Sequence, residues 1–174
     1  MNQEKAKYVE KLTEMVNDVH VSMLITNKDN NSHPLGNALG VDEIDDDGTI
    51  WFFRKASPDF ADEIQESENV SVAIVNQRNR SYLMINGTVT LISDKNKMLE
   101  LWNGNMKSWF PRGLDDPNIL LIKVSPVQVK YWDNDSSKMV VLFNVLKALV
   151  TGQVYSEEEH TIIRKYYSKL SRLN

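Results

Sequence analysis

Residues 81–92, SYLMINGTVTLI, carry an apolar side chain at nearly every second position. The apolar positions of one face are Leu83, Ile85, Val89 and Leu91. They point to the same side of an extended chain, because successive side chains of a strand alternate between its two faces. Glycine inside a strand is typical of a bend or bulge, and we expect one at Gly87. The stretch therefore predicts a long strand with one buried face.

Further strand patterns lie on both sides of this stretch and are separated by turn residues. The predicted strands are His20–Thr26, Leu35–Val41, Thr49–Phe53, Val70–Val75, Ile119–Val124 and Val127–Trp132. The last two are predicted as separate strands, because Pro126 between them cannot donate to a ladder of hydrogen bonds. The Asp-Gly step at residues 47–48 predicts a tight hairpin turn, since glycine tolerates a positive φ.

Helical patterns are short and do not alternate regularly with the strands. Helices are predicted from Ala6 to Val19, from Pro58 to about Ser67, and behind an N-cap at Asp94. Two more are predicted at the end of the chain, the second over Ser156–Leu173. This order favours an α+β fold, mainly β, built on an antiparallel sheet or barrel. We expect one domain over residues 1–150, with a helical extension of it over residues 151–174.

The composition excludes several classes of function. The chain of 174 residues contains no cysteine, so disulfide scaffolds, thiolate zinc sites and thiol catalysis are excluded. Its formal net charge is −4, without a basic stripe, and this charge would repel a nucleic-acid backbone. No apolar run reaches the roughly 20 residues that cross a bilayer, and the charged beginning of the chain is unlike a secretory signal. We therefore expect a cytoplasmic protein that binds neither nucleic acid nor membrane.

The sequence contains no complete motif for catalysis by side chains alone. His20, His33 and His160 lack metal-ligand spacing, and neither a glycine-rich nucleotide loop nor a G-x-S-x-G elbow is present. A bound cofactor is therefore the expected source of any chemistry. Trp109 and Trp132 lie beside charged residues at expected chain reversals, where an amphipathic ring often contacts a flat ligand or a partner.

Several segments, in chain order, resemble the general-stress-protein branch of the pyridoxamine-phosphate-oxidase-like family. The most specific is residues 109–117, WFPRGLDDP, which is similar to the W-F-P-x-G-x-D-D-P string of that branch. Weaker matches are the hairpin His20–Leu39, the aromatic strand at residues 51–53 and the segment Tyr131–Asp133. The likeness covers about residues 5–150. It implies a six-stranded antiparallel split β-barrel (Greek key) that forms a homodimer.

The resemblance also implies an FMN cofactor in each of two clefts between the subunits, and a small-molecule substrate. The residues implied on the phosphate side of the flavin are His33, Pro34, Leu35, Arg54, Lys55 and Ser57. Those implied near the flavin ring or the substrate entrance are Asn37, Phe53, Trp109 and Trp132.

Two substitutions bear on whether the cofactor is retained. His33 occupies the position of the arginine in the family's R-P-M-like strand. Asp59 occupies the position of the lysine in the family's turn after the aromatic strand, which here spans residues 54–59. Asp59 would repel a phosphate dianion, whereas Arg54 and Lys55 could compensate from the same turn. The leading hypothesis that the resemblance implies is an FMN-binding protein that acts as an FMN-dependent oxidoreductase on an unknown substrate. The alternative is a non-catalytic dimer that has lost FMN or binds another planar ligand, such as heme or a deazaflavin. True pyridoxamine-phosphate oxidase activity is not expected, because the arginine-histidine substrate motif of that enzyme is absent from the C-terminal region.

Overall fold

The computed structural model describes residues 3–17, 19, 21–27, 33–78, 80–133 and 138–141. These segments are mainly β, with three α-helices and eight strands. No helix in them is long and apolar enough to cross a membrane. The predicted α+β class is confirmed.

The elements follow the chain in a strand-rich order. The helices are α1 (Gln3–Asn17), α2 (Pro58–Glu66) and α3 (Lys95–Leu101). The strands are β1 (Ser22–Thr26), β2 (Leu35–Leu39), β3 (Glu43–Ile44), β4 (Ile50–Lys55), β5 (Asn69–Asn76), β6 (Ser81–Ile92), β7 (Ile119–Asp133) and β8 (Lys138–Val141). Two 3-10 helices, Gly104–Ser108 and Gly113–Asp115, lie between α3 and β7.

Local sequence signals account for several of these boundaries. Gly48, with a φ of 86°, closes the turn between β3 and β4 and donates its N–H to the carbonyl of Asp45 at 2.8 Å. Pro58 begins α2, where its missing N–H costs no helical hydrogen bond. The carboxylate of Asp94 accepts hydrogen bonds from two backbone N–H groups of the first turn and so caps α3. All three predicted signals are confirmed.

The eight strands form one antiparallel sheet in the order β2-β1-β5-β6-β7-β4-β3, with β8 paired to β7. The sheet curls until β2, at one edge, contacts β4 near the other edge, which closes the barrel. Five antiparallel pairings separate β2 from β4, so these two strands run in opposite directions. The beginning of β2 and the end of β4 therefore lie at the same end of the barrel. The two strands beyond the expected six are the two-residue β3 and the four-residue β8.

Strands β6 and β7 share a bulge at the position where the sequence suggested a break. The pairing shifts between Asn86 and Gly87 and skips Val127 on β7. A Cβ at Gly87 would lie 2.3 Å from the carbonyl oxygen of Ser125, so this close approach requires glycine. The bulge predicted at Gly87 is confirmed. The prediction that Pro126 separates two strands is wrong, because the irregularity accommodates the proline within one continuous strand.

Two apolar clusters lie on opposite sides of the barrel wall, and β4 contributes to both. Phe52 faces the barrel core with alternate residues of the other long strands, whereas Phe53 faces outward. Helix α1 adds Leu12, Met15 and Val16 to the barrel core. The outward group, which we call the aromatic cluster, consists of Trp51, Phe53, Met106, Phe110, Ile119 and Leu121, with Trp102 packed against it.

The sequence did not predict β8, which pairs with the second half of β7. The helix predicted over Ser156–Leu173 lies outside the described residues. So do the extension over residues 151–174, His20 and His160.

Candidate functional site

Two segments that the resemblance assigns to a cofactor site meet at one end of the barrel. Asn37 lies in β2, and Arg54 lies near the end of β4. Their side chains are in direct contact, since Arg54 Nη1 donates a hydrogen bond to Asn37 Oδ1 at 3.0 Å. Asn37 pairs with the buried Leu24 and Arg54 alternates with Phe52, so both side chains project from the inner face of the barrel wall.

The guanidinium of Arg54 is held in place by its neighbours. It lies over the ring of Phe60 in α2, 3.7 Å from the ring centroid, in a cation–π contact. Partial burial lowers the pKa of Arg54, and the carboxylate of Glu63 acts in the opposite direction. The group stays charged, because an arginine in a protein is not deprotonated. Among the described residues its one hydrogen-bond partner is Asn37, so its other N–H groups can donate to a ligand.

Glu63 of α2 connects the side chains at this end of the barrel. Its Oε1 accepts a hydrogen bond from Asn37 Nδ2 at 2.8 Å and another from the hydroxyl of the fully buried Thr26. An ionised carboxylate only accepts hydrogen bonds, so it orients Asn37 with its NH2 group toward Glu63 and its oxygen toward Arg54. Thr26, Glu63, Asn37 and Arg54 form a continuous chain, which we call the rim network.

Sequence reasoning missed three residues of this arrangement, namely Thr26, Phe60 and Glu63. Phe60, Glu63 and Ile64 share one face of α2 at i, i+3 and i+4 spacing, and the two apolar members are buried. An acidic residue on the apolar face of a short amphipathic helix was the available signal for Glu63. Thr26 offered no signal, because threonine is ordinary in a strand.

The residues after Arg54 on the implied phosphate side are exposed. Lys55 follows Arg54 in β4 and therefore points to the opposite face of the strand. Ser57 is the N-cap of α2, but its hydroxyl makes no capping hydrogen bond. Asp59 lies in the first turn of α2 and is also exposed. The hydroxyl of Ser57 is thus accessible to a ligand.

The segment before Asn37 lies beside the rim network. His33 and Pro34 are exposed immediately before β2, and Leu35 begins that strand with a 48% exposed side chain. Leu35 pairs with Thr26, and its carbonyl oxygen lies 3.4 Å from the hydroxyl oxygen of Thr26, whose proton is donated to Glu63. The structure therefore brings this segment, Arg54 and the beginning of α2 to one end of the barrel.

Two aromatic residues implied near the flavin ring or the substrate entrance lie away from the rim network. Phe53 is buried in the aromatic cluster, with its ring centroid 6.0 Å from that of Trp102 and 6.5 Å from that of Phe110. It lies on the face of β4 opposite to Arg54. Trp109, next to Phe110 in the chain, is 80% exposed. Its indole is accessible to a ligand or a partner.

Trp132 belongs to an exposed apolar surface on the outside of the sheet. Trp132 of β7 pairs with Tyr82 of β6, which in turn pairs with Val75 of β5. Two residues before Val75, Ala73 pairs with Met23 of β1. Met23, Val75, Tyr82 and Trp132 are between 37% and 50% exposed, and we call these four residues the outer sheet face. A contiguous apolar surface of this kind is typical of a site that binds a partner or ligand.

A second half-buried carboxylate, that of Asp42, lies against the backbone of β4. Its Oδ2 accepts a hydrogen bond from the N–H of Phe53 at 2.5 Å. Burial raises the pKa of Asp42 to about 6, although this hydrogen bond lowers it. The charge of Asp42 therefore changes between mildly acidic and neutral pH.

An open groove of about 610 Å³ lies elsewhere, between the end of α2, the end of β6 and the loop at residues 113–117. Its lining combines apolar residues, such as Leu91 and Met98, with the carboxylates of Asp115 and Asp116. None of the residues implied for the flavin lines this groove, so it is separate from the rim network.

The residues at the rim network fit one anionic group of a ligand. In the part of the chain that the structure describes, the guanidinium of Arg54 is fixed by Asn37 and Phe60 and has further N–H donors without a partner, and the hydroxyl of Ser57 is exposed nearby in the chain. The phosphate of FMN is such a group, although the charge of Glu63 close to Arg54 opposes it. The described segments contain no group of three or more His, Cys, Asp or Glu residues that could hold a metal ion.

Known protein families include one that matches most of this chain. The model of the family described as pyridoxamine 5'-phosphate oxidase like matches residues 7–156. Protein bli-3 of Neurospora crassa is 18% identical over an alignment of 141 positions, which covers 76% of this chain and 68% of that protein.

Two solved structures share the architecture. One is a Clostridium acetobutylicum protein related to general stress protein 26 of Bacillus subtilis, with a TM-score of 0.69 and 20% identity, covering 79% of this chain and 95% of that one. The other is the general stress FMN/FAD binding protein of Xanthomonas citri, with a TM-score of 0.62 and 21% identity, covering 80% and 95%. At these identities the likeness establishes the fold, and the predicted split barrel is confirmed.

Proposed function

The chain belongs to the pyridoxamine 5'-phosphate oxidase like family, and from this premise we propose that it is a flavin-binding protein that uses FMN. The single observation that carries the proposal is the hydrogen bond between Arg54 and Asn37, with the guanidinium stacked on Phe60. It provides a fixed cation at the end of the barrel where the resemblance implies the flavin phosphate. The Xanthomonas citri relative, described as FMN/FAD binding, supports the same class of ligand.

Arg54 is the proposed anchor for the phosphate, through charge-assisted hydrogen bonds from the N–H groups of its guanidinium. Ser57 adds a hydroxyl donor, and residues 33–35 border the same end of the barrel. Lys55 points to the other face of β4 and contributes only longer-range attraction, which salt screens. Asp59 acts against these groups, because a carboxylate repels a phosphate dianion.

Asn37 and Trp132 are the proposed contacts of the flavin ring, and Trp109 the proposed border of the substrate entrance. Asn37 is fixed by its two hydrogen bonds, so its oxygen and NH2 group keep constant positions. Phe53 supports the site indirectly, because its packing in the aromatic cluster holds the strand that presents Arg54. When bound, the flavin supplies the electron transfer of an oxidoreductase that acts on a small molecule. The chain itself positions the phosphate and shields the ring from water.

We infer that two copies of the chain pair through the outer sheet face, which would bring Trp132 to the cofactor cleft of the partner subunit. The exposed apolar side chains of this face favour such burial. Changing Tyr82→Glu places a charge in its centre and should shift the mass in solution from dimer to monomer. Leu99→Glu, at a 64% exposed site on α3, is the matched control and should leave the dimer intact. A monomeric native protein would overturn this part of the proposal.

The cofactor is tested by the visible absorption spectrum of the freshly purified protein, followed by titration with FMN. A bound flavin spectrum, or saturable binding in the micromolar range, is the expected result. A colourless protein that ignores FMN would overturn the proposal. A cytoplasmic location, which the composition predicts, and a stress-related role, which the resemblance implies, belong to the same proposal.

A second candidate function is a non-catalytic dimer that binds a different planar ligand, such as heme or a deazaflavin. The carboxylate of Asp59 in the first turn of α2 and that of Glu63, which acts on Arg54, favour it, because both disfavour a phosphate dianion. Asp59→Lys restores the charge that the family has at this position. Tighter FMN binding by this variant would indicate a weakened phosphate site, and saturation with heme or deazaflavin in place of FMN would favour the second candidate.

A further inference from the structure

The rim network includes a negative charge at the place where phosphate binding calls for positive charge. Glu63 touches Asn37, which touches Arg54, and its carboxylate acts electrostatically on the guanidinium. Thr26 and Asn37 both donate a hydrogen bond to the same oxygen of Glu63, which holds the carboxylate in one position. The carboxylate is therefore a built part of the site, and it is half-buried instead of free in solvent.

A charge in this position acts selectively on ligands. A phosphate bound by Arg54 would also experience the charge of Glu63, which acts on the same guanidinium, and like charges repel each other more strongly where water is partly excluded. A flavin whose side chain ends in a neutral hydroxyl would not experience this repulsion. Riboflavin is that ligand, because it has the ring of FMN and lacks the phosphate.

We propose that Glu63 is a specificity-determining residue that reduces the preference of this site for a phosphorylated flavin over a neutral one. The inference rests on the proposed flavin-binding function. It states that Glu63 sets the relative affinity of the site for FMN and riboflavin. The ratio of the riboflavin Kd to the FMN Kd measures it directly. This ratio cancels effects on the ring and on overall stability, since both ligands share them.

The test uses the full-length protein and titrates both flavins by fluorescence. The native ratio is expected to be below about tenfold, whereas one strong charge-assisted anchor alone would give roughly 10- to 100-fold. Glu63→Gln keeps an oxygen that can accept from Thr26 and Asn37 but removes the charge, and it should raise the ratio by about tenfold. The matched control is Asp62→Asn, an exposed carboxylate next to Glu63 in α2, which should change the ratio less than about threefold.

Three outcomes would overturn the inference: a native ratio above about tenfold, no rise with Glu63→Gln, or an equal rise with Asp62→Asn. The native ratio keeps the test decisive if the Glu63 variant does not fold. If neither flavin binds the native protein or its variants, the proposed function fails together with the inference. If both flavins bind and the ratio does not depend on Glu63, only the inference fails.

Discussion

Strand β4 separates two regions of opposite character, the rim network and the aromatic cluster. Arg54 and Phe53 are neighbours in the chain, yet Arg54 joins a chain of polar hydrogen bonds and Phe53 packs among aromatic rings. A half-buried carboxylate also lies close to each of these two residues, Glu63 next to the hydrogen-bond partner of Arg54 and Asp42 at the backbone of Phe53. Glu63 accepts two side-chain hydrogen bonds, and Asp42 accepts one from the backbone. We infer that one face of the strand serves ligand binding and the other serves stability.

The two regions contribute differently to the free energy of folding. A hydrogen bond in the folded state replaces one to water, so its net contribution is only about 1 kcal/mol. A buried aromatic ring removes a large apolar area from water and gains further from edge-to-face contacts with other rings. Substitutions in the aromatic cluster should therefore lower stability, whereas substitutions in the rim network should mainly change binding.

The largest expected effect is that of Phe110→Ala. The ring of Phe110 is 4% exposed and packs against Phe53 and Trp102. Its removal should lower the free energy of unfolding by about 3–5 kcal/mol, because it leaves a cavity as well as losing apolar burial. Urea denaturation followed by tryptophan fluorescence measures the change.

The neighbouring position provides the control. Trp109→Ala removes a larger ring that is 80% exposed, and it should change the free energy of unfolding by less than about 0.5 kcal/mol. Equal losses at the two positions would mean that the aromatic cluster is not what stabilises this side of the barrel.

The next effect concerns binding and compares the two adjacent cations of β4. Arg54→Gln should weaken FMN binding by about 10- to 100-fold, because it removes the charge-assisted hydrogen bonds proposed for the phosphate. Lys55→Gln removes the same charge from the opposite face and should weaken binding less than about threefold. Isothermal titration with FMN measures both. Similar losses for the two variants would show that the face of the strand does not decide which cation binds the phosphate.

Much of the fold could be predicted because its signals are local. Three signals depend only on residues a few positions apart, and the structure contains all of them: the alternation in residues 81–92, the Asp-Gly turn and the cap at Asp94. The continuous β7 could not be predicted in this way. It depends on Gly87 of another strand, which leaves room for the bulge beside Pro126.

The candidate site was predictable only in part, because some of its contacts join residues that are far apart in the sequence. The period of two in a strand already implies that Arg54 and Lys55 point to opposite faces. The hydrogen bond between Arg54 and Asn37 depends on tertiary structure, since the two residues are 17 positions apart in sequence and meet only where β2 contacts β4. The family resemblance identifies residues that bind the ligand. It does not identify a carboxylate, such as that of Glu63, that repels the ligand.

The smallest expected effect is the pH dependence of stability that Asp42 causes. Burial raises the pKa of this carboxyl from its ordinary value of 3.8 to about 6, so the folded protein holds the proton more tightly than the unfolded chain. The stabilisation is therefore complete below about pH 4 and is lost as the pH rises through about 6. Its size is about 1–2 kcal/mol, given ~1.4 kcal/mol per pH unit and the partial exposure of the group.

Asp42→Asn removes this titration and retains an oxygen that can accept the N–H of Phe53. The stability of the variant relative to the native protein should therefore rise by about 1–2 kcal/mol between pH 4 and pH 7.5, as thermal unfolding in matched buffers measures. Asp46→Asn, at an exposed position of the same hairpin turn, is the control and should show no rise of this size. A constant difference between Asp42→Asn and the native protein would mean that the surroundings of Asp42 stabilise its charged form as well as water does. Of the two half-buried carboxylates, only Glu63 would then have a charge that matters, through its effect on the bound ligand.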